Sequence, residues 1–227
     1  MKLCYVVGSP NCRKVHAVIN HLGLGPEIEV EYLDFFAGDT RAPQFLQLNA
    51  NGMVPVLRDG DFVLSESNAI MQYLAERSSD TALLPRQPRA RADVLRWQCW
   101  ELAHYNKALG VLSFETVAKP GFMGAEPDAG LVAWAQAELA RFAAVLDRHM
   151  SNRLHAVGDT ITLADYALTH LEGFKDVVPF DWSPYPALNA YYDRMRAVPH
   201  WAQTAPPSRE AIGRRPPSPS RTLASAP

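Results

Sequence analysis

Residues Asn51 to Ser67, NGMVPVLRDGDFVLSES, combine features that could hold a peptide-like ligand. Val54-Pro55-Val56-Leu57 and Phe62-Val63-Leu64 are apolar, partly β-branched runs flanking Asp59-Gly60, a dipeptide suited to a hairpin turn, so the runs are expected to pair antiparallel. Pro55 opens the first run, where a missing N–H is tolerated. X-Pro is also the one peptide bond that adopts cis at modest cost, and that geometry would turn the N–H and C=O of Val54 outward, where an added extended peptide could pair with them. Ser65, Glu66 and Ser67 fall where the second run gives way to a helix beginning near Asn68. The unpaired N–H groups of a helix start, helped by a small hydroxyl, seat a carboxylate. A second stretch, Gly8-Ser9-Pro10-Asn11-Cys12, puts hydroxyl, amide and thiol side chains on a turn entering another helix. Donors at such a start favour an anion, a thiolate included.

The elements that must position these residues follow from periodicity. Lys2 to Val7 is a β-rich apolar run, and after the turn Val15, Val18, Ile19 and Leu22 recur at helical spacing. Glu27 to Leu33 alternates Glu27, Glu29 and Glu31 with Ile28, Val30 and Tyr32, a second strand that the crossover makes parallel to the first. Gln44 to Leu48 is a short helix. The order βαβαββα, with a proline before the third strand, is that of a thioredoxin-like domain over residues 1–77. Residues 78–89 read as a linker. From 90 to 205 strand patterns cease, and Ala90 to about Thr116, Leu131 to Leu146 and Leu188 to Met195 carry helical stripes, giving an all-α second domain and an α+β chain overall. A loop is expected from Lys119 to Pro127. Thr162-Leu163-Ala164-Asp165 reads as a capping box with Asp in place of Glu, so Asp165 is structural rather than catalytic. Residues 206–227 lose all apolar periodicity and read as a disordered Pro/Ser/Arg-rich tail.

Val54-Pro55, followed ten residues after Pro55 by Ser65-Glu66-Ser67-Asn68-Ala69-Ile70, resembles the glutathione-binding core of the cytosolic glutathione S-transferase family, most similar to its bacterial, serine-type, theta- or nu-like branches. The resemblance implies glutathione as co-substrate with no metal, a hydrophobic small-molecule electrophile as second substrate, and a homodimer built on the long helix after the linker. It implies that Val54 pairs with the cysteinyl backbone and that Glu66 and Ser67 hold the γ-glutamyl amine and carboxylate. Ser9 then donates to the glutathione sulfur as the catalytic residue, with Asn11 as a second donor. Tyr105 is a candidate wall of the second-substrate pocket. Tyrosine-using branches place their hydroxyl at the end of the first strand, and one alignment brings Tyr5 there, although Tyr5 lies inside an apolar run. Met53 and Thr40 stand where basic residues commonly hold the glycyl carboxylate, which implies weaker glutathione binding.

Two other readings stay open. Ser9-Pro10-Asn11-Cys12 occupies the frame of a Cys-x-x-Cys redox motif with the attacking cysteine replaced, so glutathione-dependent disulfide reduction is one, and a non-catalytic binding protein of the same fold is the other. At 227 residues with 48% hydrophobic content the chain can bury a real core, and a net charge of −2 offers no general attraction to nucleic acid or an anionic membrane. Cys4, Cys12 and Cys99 form neither paired spacings nor a metal-ligand cluster, which suits a reducing compartment. Leu3 to Val7 is too short for a signal core, and no later stretch reads as long and apolar enough to span a membrane, so the expectation is a soluble, cytoplasmic protein.

Overall fold

The computed structural model describes residues 1–78 and 82–216. The chain divides into two compact units: Met1–Leu84 together with the chain from Ala197, and Pro85–Arg196.

The first unit is built on a four-stranded sheet of order β2-β1-β3-β4, with β1 Lys2–Tyr5, β2 Glu29–Tyr32, β3 Val56–Asp59 and β4 Phe62–Leu64. β1 and β2 are parallel, as a helical crossover requires, and β3 is antiparallel to both β1 and β4. Asp59 pairs with Phe62, so the two-residue turn is Gly60-Asp61 rather than the expected Asp59-Gly60. Gly60 at φ +62 supplies the left-handed conformation at the first turn position. Helices α1 Pro10–His21 and α3 Ser67–Arg77 pack together on one face. Val15, Val18, Ile19, Ile70, Met71 and Leu74 are fully buried there with Leu3 and Leu57 of the sheet, each worth about 1.5–3 kcal/mol. The other face gathers Cys4, Val6, Leu33, Val56 and Phe45 of the short helix α2 Pro43–Leu46.

The second unit is helical. α4 Pro88–Trp100, α5 Asn106–Ser113 and α6 Lys119–Met123 run on through two wider π turns, Glu101–Tyr105 and Phe114–Ala118. The expected loop from Lys119 is therefore helical until Gly124, whose φ of +61 ends the run. α7 Ala129–Met150 packs on α5 and on α9 Pro186–Arg196, while α4 packs on α8 Leu163–Thr169. Contrary to expectation, α7 is long and apolar enough by length and composition to cross a membrane. Its buried residues, Ala135, Leu139, Phe142, Ala143, Leu146 and Met150, recur at helical spacing, as in the core helix of a folded unit. At the start of α8 the Asp165 carboxylate accepts the N–H groups of Thr162 and Ala156, each at 2.8 Å, so the capping box forms as its sequence implies.

The chain after α9 departs from the expected boundaries at 205 and 206. α10 Pro199–Ala202 packs on α1, with the Arg13 guanidinium 4.2 Å over the Trp201 ring and its Nε donating to Thr204 at 3.0 Å, so this segment belongs to the first unit. Of the expected tail, residues 206–216 are ordered against the first unit, where Gly213 donates its N–H to the Val7 carbonyl at 2.8 Å. Residues 217–227 lie outside the described residues.

Candidate functional site

Strand directions bring the candidate residues to one edge of the sheet. β1 ends at Tyr5 and leads to Ser9. Because β3 is antiparallel to β1, its beginning, with Val54 just before it, lies at that same end. β4 runs antiparallel to β3, so its last residue also faces this edge and Glu66 and Ser67 follow there.

Ser9 is the N-cap of α1, in extended conformation at φ −64 and ψ 120, with Pro10 as the first helical residue. Its N–H donates to the Val6 carbonyl at 3.1 Å and its Oγ accepts the Cys12 N–H at 3.4 Å. A hydroxyl that accepts one bond keeps its own proton to donate. Cys12 is fully buried, and burial pushes its thiol up to about 12 against the opposing hydrogen bonds of the Val6 backbone and the Ser9 side chain. An inaccessible, protonated thiol is a poor nucleophile, so Cys12 does not supply the chain's own redox chemistry.

Among the described residues no side chain caps the start of α3; Ser67 and Asn68 there are buried, and Glu66, exposed, precedes them at φ +68 and ψ 109. A non-glycine residue in the left-handed region costs roughly 1–3 kcal/mol, and such residues cluster at ligand clamps. The Ser67 hydroxyl donates to Asn11 Oδ1 at 3.2 Å, tying the starts of α1 and α3 together. Asn11 is a hydrogen-bond acceptor in this contact, so its side-chain NH2 keeps its two donors.

The loop before β3 is braced by Asn49, which donates to the Met53 carbonyl at 2.8 Å and accepts the Asn51 N–H at 3.1 Å. The Val54-Pro55 bond is cis, and the Val54 backbone makes no hydrogen bond to any described residue. Met53 is exposed, Thr40 is buried, and neither side chain carries a charge. Arg41, which the sequence reading passed over, lies across this loop: its Nη1 reaches the Asn51 carbonyl at 3.5 Å, and a Cβ on Gly52 would meet that nitrogen at 2.7 Å. The available signal was its position one residue after Thr40.

Two candidates prove to be core. Tyr5 is buried with its ring edge-on to His16 and Tyr32, and burial pushes its hydroxyl far above the usual range. Tyr105, expected at a pocket wall, is fully buried in the helical unit, stacked on Trp100 with its hydroxyl 2.5 Å from that of Tyr192. Among the described residues no group of three or more His, Cys, Asp or Glu could hold a metal ion.

Comparison with known proteins bears on the whole chain. Residues 3–82 match the family model described as glutathione S-transferase, N-terminal domain, and residues 109–199 its C-terminal domain. The chain is 32% identical over 212 residues to Glutathione S-transferase 3 of Zea mays, covering 90% of this chain and 92% of the maize protein. Among solved structures, glutathione S-transferase-I bound with lactoylglutathione superposes with a TM-score of 0.79 at 25% identity, covering 90% of this chain and 97% of the other. The glutathione-bound theta class enzyme of Xanthomonas axonopodis pv. citri also gives a TM-score of 0.79, at 27% identity, covering 91% of this chain and 97% of its own.

Proposed function

The chain belongs to the glutathione S-transferase family, and from that premise we propose that it binds glutathione along this sheet edge and transfers its sulfur to a hydrophobic electrophile. The observation that carries the reading is the unpartnered Val54 backbone, flanked on one edge by the uncapped start of α3 and by the Ser9 hydroxyl. Val54 adds the cysteinyl backbone as an extended strand. The N–H groups at the start of α3 take the γ-glutamyl carboxylate, joined by the Ser67 hydroxyl as it turns from Asn11 Oδ1, and the exposed Glu66 takes the amine. With Met53 and Thr40 unable to do so, Arg41 is the cation for the glycyl carboxylate.

A free thiol has a pKa near 8.5 and is only a few per cent ionised at neutral pH. Ser9, donating its hydroxyl proton to the sulfur, lowers that value, and a shift of about two units represents roughly 2.7 kcal/mol of differential stabilisation. The thiol proton leaves to solvent, the sulfur lone pair forms the new S–C bond, and the leaving group departs with the electron pair of the bond that breaks. Ser9 stays protonated throughout. The use of Ser9 and the likeness to a theta class enzyme support a serine-type branch, and we extend to this chain the homodimeric assembly and cytoplasmic residence expected of it.

The test mixes the protein with glutathione and an activated aryl halide, comparing wild type with Ser9→Ala. A rate loss of about 10- to 100-fold is expected for the variant, and equal rates would remove Ser9 from the mechanism.

A further inference from the structure

The segment after α10 is seated against the loops that flank Ser9. Gly213 donates its N–H to the Val7 carbonyl at 2.8 Å, and its own carbonyl accepts the Phe35 N–H at 2.7 Å. One peptide unit on each side of Gly213 thus joins the turn between β1 and α1 to the loop between β2 and α2. The seat is cut to glycine on both partners. Gly8 has φ +79, and a Cβ there would lie 2.8 Å from Ile212 Cγ2; Gly213 has φ +76, and a Cβ there would lie 2.5 Å from Phe36 Cε2. Charge fixes the rest: Arg215 pairs with Asp39 at 2.6 Å, its N–H reaches Asp34 at 3.3 Å, and the Arg214 guanidinium lies 4.6 Å over the Phe36 ring. The segment closes its own turn, with Ile212 N–H donating to the Arg209 carbonyl at 3.3 Å and Arg214 N–H to that of Ala211 at 3.1 Å.

Val7 and Gly8 immediately precede Ser9, and the Ser9 N–H is held by Val6 in the same turn. Those peptide planes set where the Ser9 Cα–Cβ bond stands, and the Cys12 N–H that Oγ accepts holds the side chain from there. We propose that residues 208–215 are a positioning strap: Gly213 holds the Val7-Gly8 turn, and through it aims the Ser9 hydroxyl at the bound thiol, while fixing the loop that leads to Arg41. The proposal rests on the role given to Ser9 above. The strap itself touches neither the sulfur nor the electrophile; its residues act through Ser9.

The test compares the full chain with Gly213→Ala, with a chain ending at Pro207, and with one ending at Pro216 that keeps the strap. The ultraviolet absorbance of the glutathione thiolate is titrated against pH, and kcat and KM for glutathione are measured. Gly213→Ala and the chain ending at Pro207 should raise the thiolate midpoint by about one pH unit and lower kcat/KM about tenfold, whereas the chain ending at Pro216 should match wild type. An unchanged midpoint in both strap variants overturns the proposal, because a purely structural strap would lower stability and leave the thiolate alone. Amide hydrogen exchange without ligand separates this result from failure of the functional reading. If wild type forms no thiolate, faster exchange at the Ser9 amide in Gly213→Ala retains the strap and discards the chemistry, and unchanged exchange there discards the strap.

Discussion

Replacing Asp165 by alanine removes the acceptor around which the helical unit is closed. The carboxylate is fully buried and accepts the Ala156 and Thr162 N–H groups, each at 2.8 Å, the Thr162 hydroxyl at 3.1 Å and the Tyr191 hydroxyl at 3.1 Å. The hydroxyls can turn elsewhere: Tyr191 already lies 3.3 Å from the Asp165 main-chain carbonyl, which survives the substitution. The two main-chain N–H groups cannot turn. A buried donor left unsatisfied costs about 1–3 kcal/mol, so two cost roughly 4 kcal/mol. Relief of the carboxylate's own desolvation works the other way, since burial raises its pKa against the hydrogen bonds it accepts, and leaves a net loss of about 3 kcal/mol. For a chain of this size that lowers Tm by roughly 6–12 °C. Calorimetry at pH 7 reads it directly. Asp165→Asn keeps one acceptor oxygen but sets a donor against the other N–H, so it should also lower the melting point. A melting point for Asp165→Ala within about 2 °C of wild type would refute the reasoning.

Burial holds His16 down at about 4 from its ordinary 6.5. The unfolded chain therefore takes up a proton that the folded chain refuses, and stability drops as pH falls from 6.5 toward 4, by up to about 3 kcal/mol. Urea midpoints measured at both ends of that window should show a smaller acid loss in His16→Phe than in wild type; equal losses would contradict the assignment. Cys4 and Cys12 are buried, with burial pushing each thiol up to about 12, while Cys99 is exposed. Alkylation of the native protein should label Cys99 first and the other two only after denaturation, and simultaneous labelling would contradict their burial. Arg41→Ala should raise KM for glutathione about tenfold with kcat little changed, the pattern of binding energy shared by ground and transition states. A fall in kcat with KM unchanged would place Arg41 elsewhere.

What the sequence carried well was whatever repeats. The parallel β1 and β2, the hairpin and the stripes of α1, α7 and α9 follow from periods of 2 and 3.6, and the box at Thr162 and Asp165 follows from local hydrogen-bonding chemistry. The exact turn did not follow, because Asp59-Gly60 and Gly60-Asp61 both place glycine in the loop and only pairing across the strands fixes the register. Tyr105 was misplaced because an aromatic on a core face and one on a pocket wall have the same periodicity, and what decides is the opposing Tyr192, 87 residues away. The strap was invisible for a related reason. It holds its place with two glycines, arginine pairs and one isoleucine, none of which makes a periodic signal, and it lies between Pro206-Pro207 and Pro216-Pro217 in a stretch whose overall composition is that of an unfolded segment. Arg41 has no signal of its own beyond standing next to Thr40, because the reach of its long side chain to the Asn51 carbonyl shows only in the folded loop.

The central claim is that the Ser9 hydroxyl, by donating to the sulfur, stabilises the thiolate of a thiol held beside Val54 and the start of α3. Titrating the thiolate absorbance of bound glutathione in wild type and Ser9→Ala tests it most directly. The account predicts a wild-type midpoint about two units below the free value near 8.5, returning most of the way to it in the variant. Identical midpoints in the two proteins, or a wild-type midpoint equal to that of free glutathione, would contradict it.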